Sequence, residues 1–493
     1  MDKIIERLEL ALRPVEKPPT LEEVLEKISR RGVLRGPVDW VFPGWALYVE
    51  YAAERIAETF PLSEGEKRQL FGFRDALKRL LLEAQRQARA KLTSIYRSIV
   101  ENTYRLEGNR MYAPDGTWLY IREGLTPRVL IRGVSASARF PDVLKLPRER
   151  LELLQLGWRA SDEGETGGRP DMITAQPWQV FAWSATRYGE FYIRVDSANL
   201  TLDGVSAHIS IKAKSWKQKW SKDKAIDLVA SHLRRGEWAP LFAAWLGDGR
   251  AELGDVLHGN YRVIIVAKEP WRLGNSIGAR DALIASGREA FVKLREAAGI
   301  YGELLDLLKA HKWVSIKLAT DVSFRAAYKS KRKRTIDVLR EKYNNGEIST
   351  EAGRRRRRRQ RRGAMQRSGA VVVAGIAMSL DLRSGRGGTL MARCYARDVG
   401  EALAIADKLE SAELRPNIVR VGNYYMTYIN ISDLLKLAEQ DNEIKRAVAQ
   451  YLVEKAENGT PRQKEIAKKI LKRYPFFLSP KPLYVGQANI WNQ

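Results

Sequence analysis

The spacing of apolar positions divides the chain into a helical front and a strand-rich remainder. Thr20-Leu21-Glu22-Glu23 is a capping box that predicts a short helix through Ile28, and Pro14, Pro18 and Pro19 separate it from an amphipathic start. A second capping box, Ser63-Glu64-Gly65-Glu66, precedes Leu70, Phe73, Leu77, Leu80, Leu81, Leu92, Ile95 and Ile99 at helical spacing. That period runs over about 35 residues, longer than a usual globular helix, so a break or a helical hairpin is expected. Residues 1–110 read as a helical domain.

Beyond Met111 the period shortens. Pro114-Asp115-Gly116 is a tight turn between Met111-Tyr112 and Trp118-Leu119-Tyr120-Ile121, which predicts a hairpin. Residues 134–140 alternate as a strand, and 157–172, rich in Gly, Asp and Glu, read as an exposed loop. Residues 190–195 and 204–212 form a strand pair. Ser221 caps a helix carrying Ala225, Ile226, Leu228 and Val229, which leads to an apolar helix over 240–247. Residues 111–250 are thus an α+β domain ending in Gly-Asp-Gly. An α/β continuation over 251–345 has strands at 261–267 and 313–318 and helices at 279–298 and 300–311. Residues 369–440 read β-β-α-β-β-α: strands at 371–381 and 389–395, a helix at 400–409, a hairpin around Gly422-Asn423, and a helix opened by Ser432. Two helices and a Pro-rich tail occupy 441–493. The fold class is α+β, with antiparallel sheets.

Charge changes this picture more than composition does. Eighty-five Lys and Arg face 59 Asp and Glu, a net +26 over 493 residues, and such an excess calls for a polyanion, most simply nucleic acid. The densest run is Arg354, Arg355, Arg356, Arg357, Arg358, Arg359, Arg361 and Arg362, preceded by Lys331, Arg332, Lys333 and Arg334. Like charges so close do not pack, so residues 346–368 read as a flexible phosphodiester-binding arm or a low-complexity insertion. Trp216-Lys217-Gln218-Lys219-Trp220 suits phosphate contact by Lys217 and Lys219 with base stacking, and equally a helix start with two buried indoles. No apolar run is long enough to span a membrane. The single cysteine, Cys394, excludes an intrachain disulfide, and with no signal peptide legible the expected location is the cytoplasm.

Chemistry concentrates at Leu241-Phe242-Ala243-Ala244-Trp245-Leu246-Gly247-Asp248-Gly249. Ala243 and Ala244 are small enough for close helix packing, and Gly247 and Gly249 bend the chain. Asp248 is left at the negative end of the helix, where a carboxylate is disfavoured unless a cation or nearby base compensates it. The alternative is a C-cap whose aspartate faces water. As a metal ligand, Asp248 would take an oxygen-preferring ion such as Mg²⁺, suited to phosphodiester hydrolysis.

The same nine residues resemble the conserved helix of the LAGLIDADG homing-endonuclease family, in the variant that ends Trp-Leu-Gly-Asp-Gly, and Thr389 to Leu437 resembles the later part of the same module, which would make 369–440 a LAGLIDADG-like half; the chain is similar to the crenarchaeal repeat-element proteins called paREP2b. The resemblance implies two such helices packed together, each ending in a metal-binding acid, and sheet saddles that lie on double-stranded DNA. It puts Asp248 at the catalytic position, Gly249 at the following glycine and Ala243 at a close-packing position, with Leu246 in place of the family's first aspartate. No second copy is legible: 373–381 reads better as a hairpin. A second helix would then come from a second subunit of a homodimer. The expectations are a DNA-binding protein of a thermophile's mobile element, with Mg²⁺-dependent endonuclease activity or without it, and RNA as the alternative partner.

Overall fold

The computed structural model describes residues 2–121, 126–250, 253–257, 262–266, 282–331, 335–345, 369–383, 388–422 and 424–478. The chain forms two compact units, Met1–Lys329 and Ser330–Gln493. Both mix helices with antiparallel sheets, as expected.

The first unit opens with α1 (Asp2–Leu12), α2 (Leu21–Arg31), α3 (Val38–Thr59) and α4 (Glu64–Val100). Both capping boxes form as the sequence requires. The expected break in α4 is absent: its 37 residues run unbroken. An apolar stripe from Leu70 to Ile99 is buried along its length, against α3 on one side and the sheet on the other, so no point favours a hairpin.

Then come β1 (Arg105–Glu107), β2 (Arg110–Tyr112), β3 (Trp118–Tyr120), β4 (Arg128–Leu130), β5 (Ser135–Phe140), α5 (Arg148–Ala160), β6 (Gly164–Thr166), β7 (Arg169–Thr174), α6 (Pro177–Thr186), β8 (Gly189–Thr201), β9 (Gly204–Ala213), α7 (Lys222–Arg234) and α8 (Ala239–Asp248). The nine strands make one antiparallel sheet in the order β1-β2-β3-β4-β8-β9-β7-β6, and β5 pairs with β8. Strand alternation sets its two faces. Phe191, Ile193, Val195, Ile209 and Ile211 point into the core, whereas Tyr192, Arg194 and Lys212 point out. Behind the sheet, Phe73 meets Phe140, Phe181 and Phe191 edge to face, with centroids 5.0–6.0 Å apart.

After α8 come β10 (Gly249–Arg250), α9 (Leu253–Leu257), β11 (Arg262–Val266), β12 (Ala282–Ser286), α10 (Arg288–Ala298), α11 (Ile300–Leu307), α12 (His311–Thr320) and α13 (Val322–Lys331). Two expectations fail here. The start of the expected 279–298 helix is β12, paired with β11. The expected strand at 313–318 is helix α12: Lys312 to Ile316, Leu318 and Ala319 are all buried, so the apparent alternation marks no exposed face.

The second unit holds α14 (Thr335–Asn344), β13 (Ala370–Val373), β14 (Ile376–Arg383), β15 (Thr389–Ala396), α15 (Val399–Ser411), β16 (Asn417–Val421), β17 (Tyr424–Asn430), α16 (Ile431–Gln440), α17 (Asn442–Asn458) and α18 (Pro461–Arg473). The β-β-α-β-β-α reading holds, except that the first expected strand splits into the β13–β14 hairpin around Ala374-Gly375, both at positive φ. Its sheet runs β13-β14-β15-β17-β16. The segment β6-β7-α6-β8-β9-α7 has the same succession of elements and the same lateral order, β6-β7-β9-β8. One folding block therefore occurs twice in the chain.

Candidate two-carboxylate centre at a helix crossing

Helix α8 starts on Pro240 in its first turn, and every residue from Ala239 to Gly247 is buried. An all-apolar helix of this kind belongs inside a core. It lies against α5, and the contact is as close as two helices can make it. A Cβ on Gly157 of α5 would stand 2.6 Å from Ala243 Cβ and 2.8 Å from Ala244 N. A Cβ on Gly247 would stand 2.7 Å from Ser161 Cβ and 3.1 Å from Asp162 N. The two helices correspond position by position: Gly157 meets Ala243, Ser161 meets Gly247, and each run ends on an aspartate, Asp162 and Asp248.

A second carboxylate beside Asp248 is thus supplied within the chain, by residues that read in the sequence as an exposed loop. Asp162 and Asp248 come within hydrogen-bonding reach of each other. Burial, then repulsion from Asp162, raises the Asp248 carboxyl to about 6. Gln179 joins the two helix ends, donating from Nε2 to Asp162 Oδ2 (3.0 Å) and to Leu246 O (3.2 Å). Its own carbonyl accepts from the Thr174 hydroxyl.

Two lysines balance the two acids. Lys312, at the start of α12, is buried; its Nζ donates to Leu246 O (2.7 Å), Trp245 O (3.3 Å) and Gly247 O, the last carbonyls of α8. An ammonium suits the negative end of a helix. Burial pushes Lys312 down to about 8, although Asp162 and Asp248 both favour its charge. Lys222, at the start of α7, donates to Ser161 O at the end of the other run and is exposed. Each aspartate therefore follows a carbonyl held by a lysine, one sealed in and one open to solvent.

Glu163 anchors the chain just past Asp162. It is fully buried and accepts from Trp183 Nε1 (2.8 Å), Arg187 Nε (3.0 Å) and Nη2 (2.7 Å), and Gln218 Nε2 (2.7 Å). The Arg187 guanidinium also lies over the Trp216 ring at 5.9 Å. Four donors on one carboxylate fix the backbone that carries Asp162.

Two carboxylates this close cannot both ionise without positive charge between or beside them. Oxygen donors of this kind suit a hard divalent cation such as Mg²⁺, which keeps several waters and needs few protein ligands. Among the described residues no group of three or more His, Cys, Asp or Glu could hold a metal. Two carboxylates alone would leave such an ion most of its coordination to water.

The other expected residues fall as follows. Ala243 and Ala244 lie buried in the crossing, Gly247 faces Ser161, and Gly249 begins β10. Lys217 and Lys219 are exposed between β9 and α7, Lys219 pairing with Glu152. Trp216 and Trp220 are partly buried against the core, and Trp216 Nε1 donates to Tyr188 O (2.7 Å), so both indoles serve packing. Lys331 ends α13. Arg332, Lys333, Arg334 and the run from Arg354 to Arg362 lie outside the described residues. Asp162, Gln179, Lys222 and Lys312 join the centre unannounced. The one sequence signal is for Asp162, which shares with Asp248 a small residue five positions before it and another directly before it.

Compared with known proteins, the chain matches no family model, no curated protein and no solved structure. Among the described residues no helix is long and apolar enough to cross a membrane.

Proposed function

We propose that the first unit is a LAGLIDADG-like DNA-binding domain, carried by a mobile repeat element, whose Asp162–Asp248 pair supports Mg²⁺-dependent cleavage of duplex DNA. The observation that carries this is the pair itself: two tightly packed helices with small residues at matching contacts, one ending on Asp248 and the other followed two residues on by Asp162, the carboxylates side by side. Two further features support it. Each helix runs directly into an antiparallel strand pairing, β6-β7 after α5 and β10-β11 after α8. The net charge of +26 suits a polyanionic partner.

A bound Mg²⁺ would supply Lewis-acid activation of a scissile phosphate and of water. Asp162 and Asp248 are the residues that would hold it. Gln179 keeps Asp162 in place, Glu163 fixes the following backbone, and Lys312 offsets carboxylate charge from behind. Binding without cleavage is the second reading, and Lys312 favours it, because a buried ammonium already offsets part of the charge that would draw in a metal.

The test is nicking of supercoiled plasmid in Mg²⁺ by the full chain, beside D162N and D248N. The proposal expects cleavage that both variants lose by about 100-fold or more, as for loss of a group that stabilises the transition state. Salt-sensitive duplex binding with no cleavage by the wild type selects the second reading. Wild-type indifference to duplex DNA, or preference for structured RNA, overturns both.

A further inference from the structure

The outer face of the β1–β4 meander carries arginines laid on aromatic rings. Met111, Leu119 and Val129 point inward and are buried, so the register puts Arg105, Arg110, Tyr112, Trp118, Tyr120 and Arg128 on the opposite face. Arg110 lies over Trp118 at 4.6 Å, Arg128 over Tyr120 at 5.2 Å and Arg105 over Tyr112 at 5.3 Å. Arg132, just past β4, reaches the Trp118 ring at 6.0 Å. Glu107 lies beside Arg105 at 3.1 Å and, facing Arg110 in the register, also acts on that guanidinium, which donates to the Tyr112 hydroxyl (3.3 Å); among the described residues no ion pair is formed by Arg128 or Arg132.

This face belongs to the sheet that continues into the block next to the carboxylate pair. β4 pairs with β8, and further along β8 the pattern returns with Lys214 over Tyr192 at 5.8 Å. A guanidinium stacked on a ring keeps its N–H edge free and loses little side-chain freedom on binding a second group. The stacked rings are covered on that side, so bases have little access to them, whereas phosphate oxygens can reach the exposed guanidiniums of Arg105, Arg110 and Arg132.

We infer that the β1–β4 face is a phosphate-contacting arm that tracks the backbone of duplex DNA beyond the segment held at the carboxylate pair. This rests on the DNA-binding reading above and extends it. The arm adds affinity and salt sensitivity and no sequence preference, because its contacts go to phosphates. The observation that selects duplex DNA is charge: among the described residues four stacked arginines face the single carboxylate of Glu107, on a face continuous with the proposed binding sheet.

The test measures binding of the full chain to two unrelated 30-base-pair duplexes by fluorescence anisotropy, from low to high KCl. The wild type is set beside R105Q/R110Q/R132Q and R110K/R132K, each checked by circular dichroism. Each phosphate contact contributes about 0.9 to the slope of log affinity against log salt. The glutamine variant should therefore lose roughly 2–3 from the slope, weakening equally on both duplexes, while the lysine variant keeps most of it. A folded glutamine variant with unchanged slope overturns the arm and leaves the DNA-binding reading standing. A wild type that binds neither duplex overturns that reading instead. Weakening on one duplex only refutes the claim of sequence-independent contact, and tighter binding to an RNA hairpin than to either duplex refutes the assignment to DNA.

Discussion

Replacing Asp248 with asparagine should make the protein more stable at neutral pH. Burial and Asp162 raise this carboxyl from an ordinary 3.8 to about 6 in the folded chain. Below about pH 4 the acid is protonated folded and unfolded alike, and it contributes no difference. Between about pH 4 and pH 6 the unfolded chain gives up its proton while the native one holds it, so native stability falls as pH rises. Above about pH 6 the full penalty is present. At ~1.4 kcal/mol per pKa unit this comes to about 3 kcal/mol, which solvent on the open side reduces to about 2 kcal/mol. Asparagine has the shape of the protonated acid and can still donate to Asp162. Urea denaturation of wild type and D248N without divalent ions, at about pH 4 and about pH 7.5, measures the effect. The variant should gain about 2 kcal/mol at the higher pH and little at the lower. Equal stability at about pH 7.5, or a gain that does not change with pH, refutes the argument that the acid pair is strained by its own charge.

Two further perturbations test how the centre is held. Gly157→Ala gains helix propensity of about 1 kcal/mol but forces a methyl into the backbone and Cβ of α8. A net loss of about 1–3 kcal/mol in urea denaturation is expected, and a stabilised variant would show that the helices part without cost. Glu163→Gln leaves the Arg187 guanidinium buried without its counter-charge, so a loss of about 3–5 kcal/mol is expected in the same assay. A change under 1 kcal/mol would mean that the ion pair is not what fixes the chain after Asp162.

The sequence makes one half of the crossing easy to read and hides the other. Helix α8 is apolar throughout and ends in Gly-Asp-Gly, so both its burial and its odd carboxylate stand out. Helix α5 carries Gln155 and Arg159 in its buried stretch, and residues that are usually solvated look like a surface turn. Here Gln155 donates to Thr186 O and Arg159 to Trp220 O, bonds made across the fold that no local pattern announces. Asp162-Glu163-Gly164 reads as loop for the same reason: the partners that bury Glu163 lie 20 to 55 residues away. Apart from the β13–β14 hairpin, the second unit is legible because most of its strands have one wet face and one dry face. Helix α12 looks like a strand in the sequence because neither of its faces is wet.

The unequal exposure of the two lysines bears on how the pair handles any incoming positive charge. With two ammoniums already in residence, a third cation cannot simply add to the cluster; it must trade places with one of them. Lys222 can withdraw into water without disturbing a packed side chain, whereas Lys312 could leave only by opening the interior. The exchange is therefore one-sided. The pair has an entrance next to Asp162 and a closed wall behind Asp248, although small residues stand at the same two positions before each acid.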